Sequence, residues 1–269
     1  MRIARLVSAV CVGALSFLLA TLPVESQDSN DIDEGTVHRA ILPVAGDVPG
    51  WGGVRWKSIV RLVNASADAL FVGITLIGSG FPSVAFSLES GQNLEMSDIV
   101  GATLGTPGAV GPLEINTLGS EPIRIQAFAV PYIEGRPGPW QPIPAIADEV
   151  PPGITVLPGL VVDRDFRTTL GICNLSTEPV TIVVALELIE GRILAWSRMT
   201  LAPESVSHAP IQNYFPLLLA ADDVMVVVDS PAPGVLAYAS VIDNRTHEAR
   251  FVSPRIPLSA NRENTHPFE

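Results

Sequence analysis

From Val180 to Leu188 the chain alternates apolar and polar positions. Val180, Ile182, Val184, Leu186 and Leu188 fall on one face, and Thr181, Ala185 and Glu187 on the other. A period of two with β-branched enrichment predicts a half-buried strand. Burying each aliphatic side chain is worth about 1.5–3 kcal/mol. A slip of one residue would turn Glu187 inward, so the register is well specified. Leu70, Val72, Ile74 and Leu76 predict a similar strand earlier in the chain. The strand before each of these places Trp56, Val60 and Leu62, or Phe166, Leu170 and Ile172, on one face. Further strands are predicted over 38–44, 84–88, 92–96, 111–117, 122–132 and 140–146. A second series is predicted over 154–161, 194–201, 205–209, 223–229, 234–242 and 249–256. Short helical turns are expected at 97–104 and 211–220. Long amphipathic helices are absent, which argues against α/β folds. Short strands separated by Gly, Pro and Asn read as an all-β chain of sandwich type.

The pattern is spoken twice. With Asn64 laid over Asn174, Trp56 meets Phe166, Lys57 meets Arg167, Leu62 meets Ile172, Ser66 meets Ser176 and Asp68 meets Glu178. Near the end of each series, Ile133-Glu134-Gly135-Arg136 matches Ile242-Asp243-Asn244-Arg245. Two copies of one domain account for this most simply. The expected organisation is a signal peptide over 1–26, an acidic disordered lead-in over 27–36, a sandwich over 37–149, a second over 150–257 and a flexible tail over 258–269. The polar, proline-rich stretch 147–153 marks the boundary. Asn-Ala-Ser at 64–66 and Asn-Leu-Ser at 174–176 match the glycan-acceptor pattern, but a turn alone explains these residues. Gly135 and Asn244 are expected to occupy one left-handed turn position.

The closing phrase "AYASVIDNRT" at 237–246, with Phe251 and Val252 following, resembles the end of a module found in tandem in secreted bacterial proteins. In that family a W/F-R-T/S-x-L-x-L-x-N strand leads and A-Y-A-S-V-x-D-N-x-T-G-D-P closes. The resemblance spans roughly residues 37 to 257 and implies two tandem immunoglobulin-like β-sandwiches. It implies no catalytic residues. The chain departs from the pattern at Thr246-His247-Glu248-Ala249, where the family has Thr-Gly-Asp-Pro, which leaves the hairpin type open.

Charge and the first residues add a compartment. Arg2 and Arg5 precede an apolar run from Leu6 to Leu22, and Val24 and Ser26 suit a cleavage site. This is signal-peptide grammar, with an uncleaved anchor as the rival. Cys11 lacks the small preceding residue of a lipoprotein signal, since Val10 stands there. After cleavage no transmembrane segment is expected, and the product would be secreted, periplasmic or on the cell surface. The remaining chain carries 14 basic and 27 acidic side chains, a net of −13. Such a charge repels phosphate backbones, so nucleic acid is not an expected partner. Cys173 is the one cysteine left and cannot form an internal bridge, so a buried apolar role is expected.

Candidate chemistry is sparse. His38, His208, His247 and His266 are scattered without metal-ligand spacing, and no metal or cofactor is expected. Asp28 opens an acidic run whose calcium-loop pattern breaks at Ile32. Asp163 and Asp165 share a strand face, as paired glycosidase acids can, but they also suit an exposed strand entry. Ser207 and His208 are adjacent and would point to opposite faces of a strand. Trp51 and Trp140 sit in Gly- and Pro-rich loops, where exposed aromatics can stack on sugars or fill partner pockets. The expectation is a non-enzymatic structural or adhesive protein whose partner is a protein or glycan at the cell surface. The alternatives are a carbohydrate-binding module using Trp51 and Trp140, or a glycan-active hydrolase.

Overall fold

Alternating inward residues set eighteen strands in the computed structural model, which describes residues 36–255 apart from 79, 81, 120, 148, 149 and 219. The assignments for 1–26 and 258–269 lie outside the described residues. So does the lead-in, save Thr36, which opens the first strand. In chain order the first ten strands are β1 (Thr36–Pro49), β2 (Arg55–Val63), β3 (Leu70–Leu76), β4 (Ser83–Leu88), β5 (Asn93–Met96), β6 (Val110–Gly119), β7 (Arg124–Ile133), β8 (Arg136–Pro137), β9 (Gln141–Ile143) and β10 (Ile146–Ala147). The rest are β11 (Gly153–Val162), β12 (Phe166–Asn174), β13 (Val180–Leu188), β14 (Ile193–Leu201), β15 (Ser205–Pro210), β16 (Ala221–Ser230), β17 (Val235–Asp243) and β18 (Ala249–Val252). The expected strand at 140–146 is divided into β9 and β10. The expected helical turns shrink to a π-helical turn at Ile99–Thr103 and a 3-10 turn at Ile211–Asn213.

The chain is all-β, and its antiparallel sheets have the character of a β-sandwich. β4-β3-β6-β1 form one layer and β5-β2-β7-β8 another, with β9 on β7 and β10 on β1. β1 joins the two layers, because a bulge between Leu42 and Ala45 lets its last residues, Asp47–Pro49, turn onto β2. Two further sheets run β11-β16-β13-β14 and β15-β12-β17-β18.

The inward sets meet as the alternation requires. Leu70, Val72, Ile74 and Leu76 lie in one core with Val60, Leu62, Leu113 and Ile115. Val180, Ile182, Val184 and Leu186 lie in another with Leu170, Ile172, Val226 and Val228. Phe166 departs from its expected place and stays partly exposed at the start of β12. The buried column ends instead at Thr168, whose hydroxyl donates to the Val161 carbonyl at 2.6 Å. A third, smaller cluster of Ile41, Cys173, Leu236 and Tyr238 lies between the two cores, with Val44, Ile146, Val150 and Phe251 against it. The outer face of β12 and β17 is therefore covered by β1 and β10.

Candidate functional site

The outer face of β2 and β7 is buried at its middle, where Ile59 and Val130 are 2% and 0% exposed, and carries charged and aromatic side chains around them. Opposite the inward Val60 and Leu62, β2 sets Arg55, Lys57, Ile59 and Arg61 in a single period-two row, in which Ile59 is buried and the three cations are partly exposed. The register sets Arg55 against Tyr132, Ile59 against Phe128 and Arg61 against Gln126, while Pro142 of β9 flanks Phe128. Trp140 stands directly before β9. Its loop is folded back where the Gly138 amide donates to the Pro131 carbonyl at 2.7 Å. The indole meets Phe128 edge-on at 5.2 Å, and the Arg61 guanidinium lies 5.0 Å from its centre. Trp140 keeps 41% of its surface exposed.

Each cation of the row is held by a carboxylate. Arg61 Nε donates to Glu95 at 2.6 Å, and Lys57 Nζ to Asp98 at 2.6 Å beneath the Tyr132 ring. Arg55 grips the buried Asp47 through both Nε and Nη2. These bonds hold the Lys57 and Arg55 pKa values above their ordinary range, with the hydrogen bond as the largest cause in each. Asp98 also caps the π-helical turn by accepting from the Gly101 amide. Beside this row, Gln126, Phe128, Pro142, Pro144, Phe251 and Ser253 line a shallow open groove of about 470 Å³. The sequence reading isolated Trp140 but missed Arg61, Glu95 and Phe128. The signal was present, since basic residues at 55, 57 and 61 mark the solvent side of a strand whose other side is apolar.

Trp51 belongs to a separate place. It lies in a 3-10 turn at Trp51–Gly53, is 65% exposed, and has the Arg167 guanidinium 5.9 Å from its ring centre. Arg167 donates to the Asn244 Oδ1 at 2.7 Å. The two tryptophans share no partner among the described residues. Asn244 also corrects an expectation, because its backbone does not enter the left-handed region. Its side chain is used instead, accepting from Arg167 and donating to the Arg164 carbonyl. The left-handed residue of this hairpin is His247, at φ 59°. The loop is longer than its counterpart at Glu134-Gly135, because Asp243 accepts from the amides of Arg245 and Thr246 before the chain turns back. Those two bonds lower the Asp243 pKa.

The remaining candidates have structural partners. Asp163 Oδ1 accepts from the amides of Asp165 and Phe166, and Asp165 faces Arg245 at 3.4 Å. Ser207 bonds Tyr214, while His208 Nδ1 bonds the Tyr238 hydroxyl at 2.8 Å. Burial lowers the His208 pKa to about 4 and raises that of the Cys173 thiol. Asn64 and Asn174 are fully buried. Each accepts from the amide and hydroxyl of the serine two residues on. Each also donates to two carbonyls, Asp68 and Leu88 for Asn64, Glu178 and Ala202 for Asn174. With their amides buried and bonded, these two are turn residues in the folded chain. Among the described residues no group of three His, Cys, Asp or Glu is placed to hold a metal, and no helix is long and apolar enough to cross a membrane. His266 lies outside the described residues.

No protein-family model matches the chain, and no curated protein matches it. Among solved structures, a calcium-binding mutant of Bacteroides uniformis β-glucuronidase 2 is 11% identical, with a TM-score of 0.21, over 86% of this chain and 27% of that one. The same enzyme bound covalently to cyclophellitol-6-carboxylate aziridine is 9% identical, with a TM-score of 0.18, over 75% and 25%. The chain thus spans about a quarter of the proteins it matches. Similarity at this level carries no argument about fold or chemistry.

Proposed function

We propose that the chain is an exported, non-enzymatic structural or adhesive protein built from two immunoglobulin-like β-sandwich modules, 37–149 and 150–257. Three features support the modular part. The sheet orders β4-β3-β6-β1 and β14-β13-β16-β11 correspond strand for strand. Asn64 and Asn174 make the same set of turn bonds. Val60 pairs with Ala127 and Leu170 with Ala239, so laying Val60 over Leu170 brings Gly135 level with His247, and each is a left-handed residue of its closing hairpin.

The observation that carries the adhesive reading is the display of large apolar side chains on outward faces. Val37, Leu118 and Phe71 form one row across β1, β6 and β3, exposed by 66%, 47% and 53%, and the two loop tryptophans are exposed at other places on the surface. Contiguous exposed apolar surface marks interaction sites. A surface protein or glycan is the partner class this suits, and the acidic net charge speaks against nucleic acid. The test is export followed by adhesion. N-terminal sequencing of the exported protein should begin at Gln27, and the labelled protein should bind cells of its source saturably. Met1 retained in membrane-embedded protein, or the absence of saturable binding, would contradict the proposal.

A further inference from the structure

Resting on that reading, we propose that the outer face of β2, β7 and β9 is a carbohydrate-binding platform, with Trp140 as the stacking ring and the Arg61–Glu95 pair as the hydroxyl-reading group, for a chain of neutral pyranose sugars. A sugar ring presents C–H groups on its face and hydroxyls on its rim. It needs a flat aromatic surface with donors and acceptors at the edge. Trp140 is partly exposed, steadied by the edge of Phe128, and has the Arg61 guanidinium 5.0 Å from its centre. Arg61 is itself fixed to Glu95 at 2.6 Å and lies over the Trp140 ring, so donors and acceptors sit at its face and the stacking surface is the part of the indole left exposed. Ion pairing orders these long side chains before the ligand arrives, which lowers the entropic cost of binding.

Charge decides the ligand class. Arg61 is neutralised by Glu95 and Lys57 by Asp98, so the platform offers hydrogen bonds without a net field. A polyuronate or sulfated polymer would want unpaired cations, whereas a neutral polyol wants the paired arrangement. The open groove running from Phe128 and Pro142 to Phe251 extends the platform, which suits a chain of sugars rather than a single one. The corresponding outer face of β12 and β17 is closed by Tyr238, which fills the space a side chain at Gly171 would need. That face has no equivalent platform.

The experiment is calorimetric titration of the exported full-length protein with neutral hexaoses of glucose, mannose and xylose, and with an oligogalacturonate. At least one neutral series should saturate. Trp140→Ala and Glu95→Gln should each weaken it by about tenfold or more, and substitution of the 95% exposed Leu217, Leu217→Ala, should leave it unchanged. Thermal melts check each variant, and Glu95→Gln decides the matter if Trp140→Ala does not fold. Binding that survives both substitutions, preference for the oligogalacturonate, or no binding by any hexaose would each overturn the inference. Saturable adhesion to cells with no hexaose binding would overturn the platform while leaving the adhesive reading in place.

Discussion

His247 occupies a backbone position that suits glycine. Its φ of 59° is left-handed. An L-residue in that region costs about 1–2 kcal/mol, least for residues such as Asn and His and most for β-branched ones. His247→Gly should therefore raise stability by up to about 1 kcal/mol, and His247→Val should lower it by about 1–2 kcal/mol. Thermal melts of the two variants check this, and the opposite order would show that the histidine side chain matters more than the turn. The sequence contained the demand for a left-handed residue but not its address. Matching Asn244 to Gly135 ignored the two amide bonds that Asp243 makes, which lengthen the loop. A short hydrogen-bonded loop shifts by a residue or more with no trace in apolar periodicity. Asn64 and Asn174 were legible for the opposite reason, since Asn-x-Ser forms its turn from its own local bonds.

Among the strands, those with one wet face were read with little error, as β3 and β13 illustrate. Strands buried on both faces carry a different signature, a nearly unbroken apolar run. "VLAYASV" in β17 is such a run, and both of its faces are covered. The inner face reaches the core through Val235, Ala237, Ala239 and Val241, and the outer reaches the small cluster through Leu236 and Tyr238. His208 of β15 is tied into this second layer by the Tyr238 hydroxyl. Burial lowers its pKa from 6.5 to about 4. The unfolded chain takes up a proton as pH drops through its ordinary value, and the folded chain does not until near 4. The contribution of this group to stability is full above about pH 6.5 and is lost as pH falls toward 4, by about 3 kcal/mol. Urea melts at about pH 7 and about pH 4.5 should differ more for the wild type than for His208→Gln. An equal loss in both would place the acid sensitivity elsewhere.

For the molecule as a whole, the small cluster joining the two cores decides which surfaces are left for function. Ile41 and Val44 of β1 cover Cys173, Leu236 and Tyr238, so that face of β12 and β17 is spent on internal packing. The face of β2 and β7 keeps its charged and aromatic side chains partly in solvent around the buried Ile59 and Val130. The all-β class, the acidity and the loop tryptophans were legible in the sequence. The grouping of Trp140 with Phe128, Arg61 and Glu95 was not, because it depends on pairing across strands far apart in the chain. The central claim is a protein that binds without turnover. It is tested most directly by co-sedimenting the exported protein with insoluble neutral polysaccharides while measuring soluble reducing ends in the same tube. The account predicts saturable depletion of protein from solution with no release of reducing ends. Steady release of sugar by the purified protein would contradict it.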